Sequence, residues 1–305
     1  MGFKADTSFL RFLSIGAVGA RQVMKVMKEA GFAPIELDRG STFNKIWATK
    51  IKRLRLPDIL CVKTGLRIEV RGKTDLQIRM SDAPGNPERH WDAGMRDEDL
   101  AAFIACKDDD GVPVAATEPV FFTYRDLRES IDRSSLSDAK AASEGAETAR
   151  TWPSTVPKRN GVVREITNST IRVTMDGDRE RSERAQVYQL RDKVAYVVAG
   201  DRFTADASII AGVPGKRASL SSYLKNKYDP LRDINAETAV DRYAAVKALP
   251  FLPEKRQLAL AAIEQRLGTE TEERVLLEVE GARVRAWIEQ GMEATGRLRL
   301  DSGPS

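Results

Sequence analysis

The stretch RLPDILCVKTGLRIEVRGK, residues 55–73, contains two alternating apolar runs separated by Lys63, Thr64 and Gly65. A glycine in a three-residue connection between such runs signals a β-hairpin. This hairpin carries charge where strands rarely do: Asp58 on its first arm, and Glu69, Arg71 and Lys73 on its second. Strand alternation places Glu69, Arg71 and Lys73 on one face. Folding about residues 63–65 brings Asp58 opposite residue 69, 70 or 71, depending on turn length. Directly opposed side chains lie about 5 Å apart at Cβ, so Asp58 and Glu69 could reach one ion. Two carboxylates that close repel, and one protonates unless a cation lies between them. Hard oxygen ligands with room for water suit Mg²⁺ or Mn²⁺. Such an ion activates water and polarises phosphate, while a neighbouring side-chain cation balances phosphate charge.

Upstream, residues 7–31 read as helical. Phe9, Phe12, Leu13, Val23, Val26, Met27 and Ala30 recur mostly at spacings of three and four, and Gly31 supplies a C-terminal cap. Gly16 and Gly19 are expected to divide the segment into a short turn and a longer helix. Residues 33–38 form a short strand. Between positions 45 and 55 stand Lys45, Lys50, Lys52, Arg53 and Arg55 with no acidic residue, and Phe43 and Trp47 are interleaved. That pattern suits a phosphate backbone, with the aromatics on base or sugar faces. Downstream, Gly72 is expected to bend the second arm, residues 73–80 form another strand, and Gln77 continues the 69, 71, 73 alternation toward phosphate. Residues 100–106 and 119–124 are strands, and a helix begins at Arg125. Glu29 and Glu36 are weaker candidates for a further carboxylate. His90 and Trp91 read as packing or surface, Asp92, Asp97 and Asp99 as turn caps, and Asp108, Asp109 and Asp110 as a solvated loop.

Pro57-Asp58, ten intervening residues, then Glu69-Val70-Arg71 resembles the motif of the PD-(D/E)xK nuclease superfamily. The resemblance implies a restriction-endonuclease-like α/β core with a mixed sheet. The family's αβββαβ order roughly fits the first 130 or so residues, although no helix is evident after the third strand. It also implies metal-dependent cleavage of nucleic acid, with Asp58 and Glu69 as metal ligands. Arg71 occupies the family's lysine position, and arginine is not a general base. Either Arg71 is an electrostatic stabiliser only, or Lys73 supplies the lysine from the same face. The preferred assignment puts Lys73 on the water and Arg71 on the phosphate.

The remaining chain divides by composition. Residues 1–133 form the nuclease-like domain and 134–154 a linker rich in Ser, Ala and Glu. Short strands in 155–213 suggest a small all-β barrel-like module. Residues 214–236 form a connector, and 237–305 a helical, HEAT-like region able to hold a protein partner. The 305 residues carry a net charge of +4 with a pI near 9.0, a mild bias toward anionic partners. Cys61 and Cys106 are too few for a disulfide framework and suit a reducing cytoplasm. One histidine, His90, excludes most histidine-built metal sites and disfavours Ser or Cys triads. No apolar run reaches membrane length. Asp6 and Arg11 interrupt an N-terminal stretch that otherwise resembles a signal peptide. The expected activity is endonucleolytic, on DNA in preference to RNA, of the kind found in bacterial restriction or antiphage defence. A homodimer would supply the two sites needed to cut both strands. The alternative is an inactive protein that binds nucleic acid and scaffolds a partner.

Overall fold

A computed structural model describes residues 7–36, 57–87, 90–110, 112–138, 148–177 and 185–227. Helix α1 (Thr7–Glu29) is followed by strands β1 (Pro34–Glu36), β2 (Ile59–Cys61), β3 (Arg67–Lys73) and β4 (Ile78–Asp82). Next come β5 (Leu100–Asp109), β6 (Val112–Ala115), β7 (Val120–Thr123), helix α2 (Tyr124–Glu129) and β8 (Ser135–Leu136). The last strands are β9 (Thr148–Trp152), β10 (Ser154–Thr155), β11 (Gly161–Ile166), β12 (Thr170–Met175), β13 (Gln186–Gln189), β14 (Val194–Ala195), β15 (Arg202–Phe203) and β16 (Ala211–Gly212).

The expected fold class is overturned. Among the described residues the architecture is mainly β-sheet with two α-helices, not an α/β core. The physical reason lies partly in residues 83–99. Pro84, Gly85, Pro87 and Gly94 disfavour a helix there. Successive turns form instead, with Asn86 N donating to Ala83 O, Ala93 N to His90 O, Met95 N to Asp92 O and Asp99 N to Arg96 O. Helix α2 has only six residues and passes into a 3-10 turn at Ile131–Arg133. The HEAT-like reading of 237–305 lies outside the described residues and is not supported.

The chain divides into two compact units, Met1–Val26 with Ile68–Leu220, and Met27–Arg67 with Ser221–Ser305. In the second unit, α1 ends in a Schellman motif. Gly31 has φ +91°, its N–H donates to Lys28 O, and Phe32 N donates to Met27 O. β1 and β2 pair antiparallel, Ile35 opposite Leu60. The turn after β2 closes with Cys61 N donating to Leu66 O and Gly65 N to Cys61 O, both 2.8 Å. Gly65 has φ +71°, which explains the glycine.

In the first unit, β3 and β5 pair in parallel, Glu69 opposite Ala101, Arg71 opposite Phe103 and Lys73 opposite Ala105. β7 and β6 pair antiparallel with β5. Helix α1 packs on one face of this sheet through Ile15 and Gly19, spaced by four. It is continuous through Gly16 and Gly19. A Cβ on Gly19 would meet Ile104 at 3.2 Å and Val70 at 3.4 Å; one on Gly72 would meet Ile15 O at 2.8 Å. The helix therefore approaches β3 more closely than side chains would permit.

The other face carries the main core. Ala101, Phe103, Ala105 and Phe122 join Ile78, Met80, Trp91, Tyr124 and Trp152. Trp91 stacks on Tyr124 with centroids 5.7 Å apart and meets Trp152 edge-on at 5.0 Å. β9 pairs with β4 and β8, so the stretch expected as a linker contributes sheet to this core. The following segment builds a second apolar cluster of Val163, Ile171, Val173, Met175, Leu190, Phe203 and Ile210. It is enclosed by the sheets β13-β12-β11-β15 and β10-β16-β14. Tyr196, Ile209 and Val213 extend from this segment into the main core.

Gly72→Ala is expected to destabilise the chain by about 1–3 kcal/mol, because backbone blocks the new methyl. Gly16→Ala, with nothing within 4 Å, is expected to stabilise by about 0.5–1 kcal/mol. Urea denaturation of both variants measures these opposite signs.

Candidate functional site

β3 presents its charged residues on the face opposite α1. Val70 and Gly72 contact the helix, so alternation turns Glu69, Arg71 and Lys73 to the side of Ala101, Phe103 and Ala105. Glu69 is buried, with a side chain 6% exposed, and that of Arg71 is 19% exposed. Arg71 Nη2 donates to Glu69 Oε1 at 2.6 Å. This charge-assisted bond compensates the desolvation of a carboxylate that would otherwise be costly on a central strand. Lys73 is half-buried at the end of β3.

The other expected site residues distribute unevenly. Asp58 is half-buried just before β2 and belongs to the other unit. Gln77 lies in the connection between β3 and β4, on neither strand, and is half-buried. Lys45, Trp47, Lys50, Lys52, Arg53 and Arg55, with Phe43, lie outside the described residues. Glu29 is exposed at the end of α1, and Glu36 is half-buried at the end of β1. Asp108 and Asp109 are exposed on the β5–β6 hairpin, as is Asp110, with φ +55°, at its tip.

A second charged cluster surrounds the turns of 83–99 and was not legible as a unit. Asp82, fully buried, accepts from Trp91 N at 3.2 Å and from Arg150 Nε at 2.7 Å. His90 Nδ1 bonds Asp92 Oδ1, and its Nε2 lies 3.9 Å from Asp82 Oδ1. Arg128 donates to Asp92 Oδ2 at 2.7 Å, to Asp97 Oδ1 at 2.6 Å and to Met95 O at 2.8 Å. Its guanidinium also lies 5.7 Å from the Tyr124 ring centroid. Asp92 and Asp97 are thus anchors for Arg128, whereas Asp99 does cap a turn, accepting from Arg96 N. Burial opposes charge on Asp92, but hydrogen bonds from Arg128 and His90 outweigh it and hold the carboxyl below its usual value. These bonds tie the turns to α2 and β9, a structural role.

The residues can be tested against a divalent cation. Glu69 offers a hard oxygen donor, but it is buried and already paired with Arg71 at 2.6 Å. Mg²⁺ commonly takes one or two carboxylates, with water and substrate phosphate completing its shell. Among the described residues, no group of three or more His, Cys, Asp or Glu side chains could hold a metal ion. Among those residues Glu69 is a single carboxylate, not part of a protein cage. Cys61 and Cys106 are buried free thiols. Among the described residues, no helix is long and apolar enough to cross a membrane. No protein-family model, curated protein or solved structure matches the chain.

Removing Arg71 alone, as Arg71→Met, takes a charge-assisted bond from a buried carboxylate and is expected to cost about 1.5–3 kcal/mol. The double variant Glu69→Met/Arg71→Met is expected to recover most of that loss, because a buried ion pair is seldom better than packed apolar groups. Urea denaturation of wild type and both variants gives the comparison.

Because Asp92 ionises more readily when folded, its contribution is complete above the ordinary carboxylate pKa. It is lost as pH falls through the lowered folded value, in the region below about pH 4. The stability advantage of wild type over Asp92→Asn is therefore expected to shrink between pH 6 and pH 3, read from urea midpoints across that range.

Proposed function

We propose that this chain is a metal-dependent nuclease hydrolysing phosphodiester bonds, with DNA as the preferred substrate. The observation that supports this most directly is Glu69: a carboxylate buried on a central strand, held by Arg71, with Lys73 in alternation beyond it. A fold selected for packing alone would place an apolar residue there. When bound, Mg²⁺ or Mn²⁺ would polarise the scissile phosphate and lower the pKa of water. Glu69 supplies the carboxylate that attracts the ion. Arg71, permanently charged, pairs with a non-bridging phosphate oxygen. Lys73 orients the attacking water by donating a hydrogen bond. Asp58 stands as an expected acidic residue, tested by its own variant. Two free cysteines accord with a reducing, cytoplasmic setting.

One observation favours a second reading, a nucleic-acid-binding protein without cleavage. Arginine stands where the resemblance expects lysine, and it is engaged with Glu69. Incubation of full-length protein with DNA and RNA in Mg²⁺ or Mn²⁺ separates the two. Cleavage is expected for wild type, preferentially of DNA, and is expected to fall by about 100-fold or more in Glu69→Ala and Asp58→Ala. Binding without cleavage in either metal selects the second reading.

A further inference from the structure

The sheet β13-β12-β11-β15 has one arginine on each of three adjacent strands, all on the face turned away from its apolar cluster. Ile171, Val173 and Met175 of β12 point into the cluster, so alternation turns Arg172 and Thr174 outward. Register places Val187 and Glu165 opposite Arg172, and Val162 opposite both Thr174 and Arg202. Arg164 joins them, donating from Nε to Thr174 Oγ1 at 2.8 Å. The β11–β12 register shifts between Val163 and Glu165. Such a bulge carries an extra residue, so Arg164 and Glu165 both face outward while Val163 and Ile166 pack inward.

We propose that this outer face binds the sugar–phosphate backbone of nucleic acid, with duplex DNA as its first substrate. The proposal rests on the reading that the chain engages nucleic acid, and it holds whether or not cleavage follows. Charge supports it. Residues 155–220 carry twelve Lys and Arg against eight Asp and Glu, so they account for the whole chain's net charge of +4. The three guanidiniums are accessible: Arg172 and Arg202 side chains are 57% and 69% exposed, and Arg164 is exposed as well. Their present bonds are easily exchanged. Arg172 lies 3.7 Å from Glu165, too far for a hydrogen bond, and Arg202 pairs with Asp176 at 2.8 Å where both are exposed. Arg164 holds only a neutral hydroxyl in that bond. A phosphate offers each guanidinium a stronger, two-pronged partner. Neighbouring strands lie about 4.8 Å apart, so the three arginines extend about 10 Å across the sheet. A duplex, with a charge about every 1.7 Å of its axis, presents several phosphates over that distance. The aromatic rings of these strands, Tyr188 and Phe203, pack with the inner cluster. Bases therefore gain no stacking platform on the described outer face, and backbone contact without sequence preference is what it supplies.

The test uses full-length protein, a short labelled DNA duplex, and EDTA to exclude cleavage. Fluorescence anisotropy over a salt series gives affinity and its salt slope. The triple variant Arg164→Gln/Arg172→Gln/Arg202→Gln is expected to bind at least about tenfold more weakly near 100 mM salt, with a slope shallower by about 2–3. Lys107→Gln/Lys158→Gln/Lys216→Gln removes the same charge from exposed positions outside these four strands. It is expected to stay close to wild type. Glu165→Gln, which leaves Arg172 free for phosphate, is expected to bind more tightly, a gain that misfolding cannot produce. Equal losses in the two triple variants, an unshifted slope in the arginine variant, or no gain in Glu165→Gln overturns the inference and leaves the nucleic-acid reading of the chain intact. Displacement of duplex by polyglutamate as effectively as by unlabelled duplex overturns it in favour of an acidic protein partner. Absence of duplex binding by wild type at low salt overturns both.

Discussion

The close approach of α1 to β3 is the constraint on which the rest of the first unit depends. At Gly72 a single methyl would lie 2.8 Å from the Ile15 carbonyl, and at Gly19 the helix has no Cβ to hold Ile104 and Val70 away. Two glycines thus bring helix and strand together. Since strand residues alternate, assigning Val70 and Gly72 to the helix assigns Glu69, Arg71 and Lys73 to the opposite face. The chemistry of that face follows from a steric fact about its other side. The parallel partner β5 then sets the neighbours of the charged residues as Ala101, Phe103 and Ala105. A one-residue slip would exchange the two faces and put Glu69 against the helix.

The hairpin turn was legible because its signal is local. Gly65 adopts φ +71° and closes the turn within four residues. The short strands between 161 and 175 were legible for the same reason, through their alternation and intervening turn signal. Misread elements depended on distant partners. Thr148–Trp152 looks like linker because Thr, Ala and Arg carry little strand hydrophobicity; its strand is set by pairing Ile78 with Trp152 and Arg79 with Thr151. Gly16 and Gly19 read as helix breakers, yet Gly19 is spent on packing, a reason invisible without Ile104 beside it. Within the candidate site, the residue types on β3 could be read from alternation. The hydrogen-bonded state of Glu69 could not, because it depends on burial and side-chain geometry.

The second charged cluster illustrates the same division. Asp82 and Arg150 are 68 positions apart, and no local pattern foretells their meeting. Three turns, α2 and β9 converge there, with Trp91 and Trp152 packed against one another beneath. Such a network is expensive to desolvate and specific once satisfied. It ties residues 90–99 to β4 and α2, and through Asp82 to β9.

Asp82 and Glu69 differ in how their bonds act on the fold. Both are buried acids paired with arginine, but the pairings differ in what they accomplish. Asp82 bonds the backbone of Trp91 and the side chain of Arg150, so it joins a loop to a distant strand. The bond from Arg71 to Glu69 joins side chains already adjacent on one strand, so that bond by itself brings no remote elements together. Ion pairing in a dry environment is a weak source of stability compared with apolar packing. The Asp82 bonds therefore join distant parts of the chain, whereas the Glu69–Arg71 bond acts within β3, where it offsets part of the cost of burying a carboxylate.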